Sequence, residues 1–167
     1  MNLGSNLWSH VFVKKVPQER PTAHDNQSQR NYYINVITKT KNWTLLFLNS
    51  RHSGHCIILN EMLPKIRNTL SQFYPCLKIK QIWYVDDSGT TIEKGQEDIS
   101  KFIPNGFKVP WFPWIILVSN NWSSRTEFMN NSFSYNYEIT KDEHRYKQLY
   151  PCTPNGFTEF VRVSLCL

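Results

Sequence analysis

The residues best suited to chemistry crowd into one short stretch, His52-Ser53-Gly54-His55-Cys56. A cysteine thiolate is a nucleophile and a metal ligand, and imidazole is a base and a metal ligand. Three chemistries follow from these types. Metal binding would use His52, His55 and Cys56, since nitrogen and sulfur donors suit zinc or copper. A structural zinc site needs four ligands, and no second ligand pair stands at metal-site spacing, so no metal is expected. A hydrolase would need Ser53 activated by His55 and the base oriented by a third group. Two residues on one tight turn seldom reach that geometry, and no Gly-x-Ser-x-Gly is present. Thiol chemistry at Cys56 remains, against the plainer reading of a small buried apolar residue.

Asp86 and Asp87 form the other titratable pair. Paired carboxylates can do acid–base work. Followed by Ser88-Gly89, they read more simply as turn formers.

The four cysteines are at positions 56, 76, 152 and 166, with no Cys-x-x-Cys pair. Pairing of Cys56 with Cys76 is excluded if the intervening segment is helical. A helix of about twenty residues spans about 30 Å, and a disulfide needs Cα atoms within about 7 Å. Pairing of Cys152 with Cys166 is left open.

The elements that must hold these residues can be read from periodicity. Residues 32–37 (YYINVI) read as a strand from their aromatic and β-branched content. Residues 43–48 (WTLLFL) form a nearly continuous apolar run, as in a strand buried on both faces. Leu59, Met62, Leu63, Ile66, Leu70 and Phe73 recur at three- and four-residue steps, which predicts an amphipathic helix. Ser53 suits its N-cap, Tyr74-Pro75 its end, and Pro64 should kink it. Residues 77–85 predict a strand, 86–89 a turn and 91–102 a short helix. Residues 114–118 (WIILV) predict a core strand entered through Phe112-Pro113. Beyond it, 120–131 reads as a polar loop, 133–139 as an antiparallel strand, 141–149 as a short helix and 157–167 as a closing strand. Strands alternating with helices argue for a sheet covered by helices.

A buried strand running into Ser53-Gly54-His55-Cys56 at a helix start resembles the thioredoxin family, in which a central strand feeds a Cys-Gly-Pro-Cys turn. Ser53 then stands at the first cysteine, Gly54 at the glycine, His55 at the proline and Cys56 at the second cysteine. The segment Pro110-Trp111-Phe112-Pro113-Trp114 resembles the family's turn before a core strand, with Pro113 as the cis-proline facing Ser53 and Cys56. The resemblance covers residues 32–145. It implies an α/β thioredoxin-like fold, a central mixed sheet flanked by helices. Residues 1–30 are then an N-terminal arm and linker, 31–149 the domain, and 150–167 a C-terminal extension.

The departures from the pattern bear on function. Ser53 cannot supply the attacking thiolate. The buried acid of the family is matched by Phe47, and the tryptophan before the first cysteine by His52. The expected function is a redox-inactive, degenerate thioredoxin-like module. It would act as a structural or protein-binding subunit, as in a large assembly such as a viral capsid. The alternative is a single-thiol disulfide exchange enzyme or isomerase using Cys56. Trp111, Phe112 and Trp114, with His52 and His55, are the candidate protein-contact residues, because aromatics dominate interface hot spots. Trp122 completes the aromatic set, which could equally cap the core.

Composition agrees with a contact role. The chain has 167 residues and a formal net charge of +6, with 40% hydrophobic, 14% aromatic and 19% charged residues. Its basic residues are scattered as short pairs (Lys14-Lys15, Lys39/Lys41, Lys78/Lys80, Arg145/Lys147), without the stripe that nucleic-acid binding needs. Protein partners are therefore expected, nucleic acid and cofactors are not. No apolar run reaches the length of a membrane span, since residues 109–118 are broken by Pro110 and Pro113. No signal-peptide pattern is visible at the N-terminus. The expectation is an intracellular protein, cytoplasmic or within a virion, and the sequons at Asn26, Asn42, Asn121 and Asn130 are read as chance.

Overall fold

A computed structural model describes residues 26–135, 138–140, 145–147 and 150–167. Its centre is β1 (Trp43–Ser50), where seven of eight residues are buried. Such burial needs cover on both faces and a partner on each edge. The sheet supplies the partners: its order is β2-β1-β3-β4. β2 (Lys78–Tyr84) runs parallel to β1, with Thr44 opposite Lys78 and Ser50 opposite Tyr84. β3 (Trp114–Ser119) runs antiparallel, with Trp43 opposite Ser119 and Leu48 opposite Trp114. β4 (Phe133–Ser134) adds a short antiparallel edge to β3.

Alternation along β1 divides the core in two, because successive side chains point to opposite faces. Leu45 and Phe47 meet Leu59, Leu63 and Ile66 of the long helix α2 (Gly54–Phe73) and Phe157, Phe160 and Val161 of α4 (Pro154–Ser164). Leu46 and Leu48 meet Ile82, Phe102, Phe112, Trp114 and Phe128 on the other face. α2 follows β1 and returns the chain to β2, as a parallel pair requires. It continues through Pro64.

Several expected elements differ. Residues 32–37 lie in a helix, α1 (Asn26–Thr40), instead of a strand. Val36 and Thr40 are buried and Tyr32 packs beside them, so the inward positions recur every four residues. Tyr33, Ile34 and Ile37 point outward, and their β-type composition does not describe a sheet. Docking decides the matter where intrinsic preference is weak. Lys39 Nζ donates to the carbonyls of Leu165 and Cys166, tying α1 to the end of α4. α1 begins at Asn26, inside the stretch expected as a linker; residues 1–25 of the expected arm lie outside the described residues.

The expected helix over 91–102 is a β-bridge from Tyr84 to Ile92 and one 3-10 turn, Ile99–Lys101. Gly95 at φ +84° breaks helical geometry between them. The loop expected over 120–131 holds a short helix, α3 (Arg125–Asn130). Ser124 caps it by accepting from Glu127 N at 3.1 Å, and Ser-x-x-Glu is a helix-start signature. The strand expected over 133–139 is divided: β4 covers Phe133–Ser134, and β5 (Glu138–Thr140) pairs with β6 (Arg145–Lys147). β6 thus replaces the middle of the helix expected over 141–149; the rest of that span lies outside the described residues.

Residues 157–167, expected as a closing strand within a C-terminal extension, belong largely to helix α4. Thr153 accepts from Gly156 N at 3.0 Å and Pro154 occupies the first turn, both favourable at a helix start. Phe157 packs edge-on against Phe47 with ring centroids 5.5 Å apart. α4 therefore completes one side of the core.

Candidate functional site

The C-terminal end of β1, the start of α2 and the turn entering β3 meet at one place. Ser53 is the N-cap of α2: its Oγ accepts from Cys56 N at 3.4 Å. The same hydroxyl lies 3.4 Å from the Phe112 carbonyl oxygen, to which it donates. The Phe112–Pro113 peptide bond is cis. Ser53, Cys56 and the Pro113 turn are thus brought together, although Ser53 and Phe112 are 59 residues apart in sequence.

Cys56 is fully buried among Leu46, Leu48, Ile82 and Trp114. Its Sγ accepts from Ser50 N at 3.3 Å. Burial pushes its thiol pKa upward; hydrogen bonds from Ser53 and Ser50 oppose the rise, and the Asp87 charge adds to it. Desolvation of the thiolate is the largest of these effects, so the protonated form is favoured.

Asp87 belongs to the site as well as to a turn. Ser50 Oγ donates to Asp87 Oδ1 and also accepts from His52 N at 3.2 Å. Asp86 holds the turn by accepting from Ser88 N at 2.9 Å. Its carboxyl is pulled below the usual range by Ser88, with a smaller effect from His52. Gly89, at φ +73°, closes the turn. Beside it Arg51 donates to both oxygens of Glu93 at 2.8 and 3.1 Å and lies 3.9 Å over the Trp83 ring. That fork covers part of the β2 edge.

The candidate contact residues separate by exposure. His52 and His55 are exposed at the helix mouth. Phe112 and Trp114 are buried in the core, Phe112 against Tyr84 at 5.1 Å. Trp111 is partly exposed and packs edge-on against Trp114 at 4.9 Å. Trp122 donates to the Phe102 carbonyl at 3.0 Å and packs on Phe128. The aromatic set therefore mostly caps the core and leaves Trp111 and Trp122 as its partly open rings. Phe47, three residues before Ser50 on β1, is fully buried in apolar surroundings.

Among the described residues no three His, Cys, Asp or Glu side chains are grouped to hold a metal ion. All four cysteines are free thiols. Cys152 and Cys166 flank α4, whose eleven residues separate them by about 16 Å. Among the described residues no helix is long and apolar enough to cross a membrane.

Sequence reasoning missed Ser50 and Asn49. Asn49 is fully buried, and neither of its amide atoms has a hydrogen-bond partner among the described residues. The signal was a polar pair closing a strand that is apolar but for Thr44.

A strand leading into a helix capped by Ser53, with the cis Phe112–Pro113 turn touching that cap before an antiparallel β3, defines a thioredoxin-like α/β domain. Among solved structures the chain is similar to the human ERp44 zinc-bound form, with a TM-score of 0.39 and 10% sequence identity. The match covers 77% of this chain and 29% of that one, so the chain spans under a third of that structure's length. No known protein-family profile and no curated protein matches the sequence.

Proposed function

We propose that this chain is a redox-inactive, degenerate thioredoxin-like module that acts by contact, as a structural or protein-binding subunit of a larger assembly such as a viral capsid. The carrying observation is a buried Cys56 thiol with a raised pKa beside a serine at the attacking position. Disulfide exchange begins with an accessible thiolate. Ser53 offers a hydroxyl that caps a helix, and Cys56 has no exposed surface.

Contact remains available at the same mouth. His52, His55, Ile57 and Ile58 are exposed around the start of α2, Ile57 by 50% and Ile58 by 58%. Two exposed isoleucines beside two imidazoles, with Trp111 partly open on the facing turn, suit a protein surface that mixes apolar and polar groups. An intracellular or virion location goes with this reading.

The second reading is single-thiol exchange by Cys56. It is favoured by the hydrogen bonds from Ser53 and Ser50, both of which stabilise a thiolate.

Alkylation of the native protein between pH 6 and pH 9 separates the two, with exposed Cys76 as an internal reference. The contact module predicts early labelling of Cys76 and none of Cys56 before denaturation. Labelling of Cys56 below neutral pH as fast as Cys76 would overturn it in favour of the enzyme. Mass measurement of native complexes tests the assembly: a monomer without partner contradicts it.

A further inference from the structure

β1 carries polar chemistry at both ends. Thr44 lies six residues before Ser50, about 20 Å along the strand. Its side chain is buried, and its hydroxyl donates to Asn120 Oδ1 at 2.8 Å. Asn120 N donates to the Asn42 carbonyl at 2.8 Å, so this asparagine is held twice. With Oδ1 engaged by Thr44, Nδ2 is a directed donor.

Strand register places Lys78 beside Thr44 and Lys80 beside Leu46, on one face of the sheet. Lys101, ending the 3-10 turn, and buried Phe102 close over that face. Lys78, Lys80, Glu97, Lys101, Phe102 and Asn120 line a cleft of about 410 Å³. Lys80 pairs with Glu97 at 3.3 Å. Lys78 and Lys101 make no ion pair among the described residues, and the Asp98 carboxylate near Lys101 accepts from Ser100 N at 3.0 Å. The lining side chains therefore carry two net positive charges beside an oriented amide donor and an apolar wall. Low-dielectric walls strengthen attraction for an anion.

We propose that this cleft binds a phosphate-class oxyanion, with Lys78 and Lys101 supplying charge and Asn120 Nδ2 the directed hydrogen bond. Charge-assisted hydrogen bonds to phosphate oxygens are the strong kind, and the three residues that carry these donors line one cleft. The site is separate from the helix mouth at Ser53 and stands whether or not Cys56 is reactive.

The test is titration of the full chain at fixed ionic strength, with inorganic phosphate and, separately, with a phosphoserine tetrapeptide, reading the Asn120 side-chain amide by NMR. Saturable shifts are expected at about 1 mM or below for at least one probe. The Lys78→Gln/Lys101→Gln double variant should weaken binding by about tenfold or more, the cost of one charge-assisted bond. Asn120→Asp, nearly the same size, should abolish it. Lys65→Gln, at an exposed position on α2, should leave it unchanged. Tighter binding of the peptide assigns the phosphate to a protein partner, and equal or weaker binding assigns it to a free anion. Absence of saturation by either probe up to about 20 mM would overturn the proposal. So would equal weakening by Lys65→Gln, because the attraction would then be diffuse charge.

Discussion

Ser53 Oγ touches the carbonyl oxygen of Phe112 at 3.4 Å while accepting the amide of Cys56 at the same distance. One hydroxyl thus caps α2 and ties its mouth to the turn that enters β3. Removing it should cost stability on both counts. Ser53→Ala is expected to lose about 1–2 kcal/mol, as cap deletions do, with the loss read from urea midpoints. Ser53→Asn, also a good cap, should recover most of it. Equal losses in both variants would place the contribution elsewhere.

Gly156 sits in the first turn of α4 with its backbone against Pro151. A Cβ there would meet the Pro151 carbonyl oxygen at 1.9 Å and its carbon at 2.9 Å. Helix propensity alone favours alanine over glycine by about 1 kcal/mol. The clash with backbone reverses that sign, and Gly156→Ala is expected to destabilise by about 3 kcal/mol. A neutral or stabilised variant in thermal unfolding would show that α4 does not start against Pro151.

Alkali should weaken the fold in a defined order. Burial raises the Cys56 thiol, and burial raises the Tyr84 phenol to about 12. The protonated forms are the ones the folded state favours, so their contribution is complete below the unfolded-state values. It declines as the unfolded chain ionises first, from about pH 8.5 for the thiol and about pH 10 for the phenol. The Tyr84 contribution is lost by about pH 12. Urea midpoints should stay flat from pH 6 to 8 and then fall. Cys56→Ala should reduce the earlier part of the fall, which the burial-raised Cys152 thiol shares, and Tyr84→Phe the later part, which the burial-raised Tyr150 phenol shares. Unchanged pH slopes in both variants would contradict the burial assigned to these groups.

The centre of the fold was legible because its signals were strong and single. Residues 43–48 are apolar but for Thr44, as suits a strand covered on both faces, and Leu59 to Leu70 repeat at the helical period alone. The ends were harder because two periods fit them. In FTEFVRVSL, Phe157, Phe160 and Val161 suit a helix, while Val161, Val163 and Leu165 suit a strand. Thr153-Pro154, an N-cap followed by proline, was the local signal that separates them. In α1 the tyrosines and isoleucines speak for strand, and only contact with the core through Tyr32, Val36 and Thr40 selects helix. At the site, Ser53, Cys56 and Pro113 could be placed by their order along the chain. Ser50 and Asp87 could not, because their bond joins positions 37 residues apart and depends on β1 and β2 lying in register.

The proposed contact role rests on Ser53 standing beside Cys56 and the cis Phe112–Pro113 turn with no second thiol at that mouth. Catalysed reduction of a disulfide-bonded test protein in dithiothreitol, measured for the native chain beside Ser53→Cys, probes it most directly. The native chain should run at the uncatalysed rate, while Ser53→Cys should form a bridge to Cys56 and turn over. Turnover by the native chain, abolished by Cys56→Ala, would contradict the account.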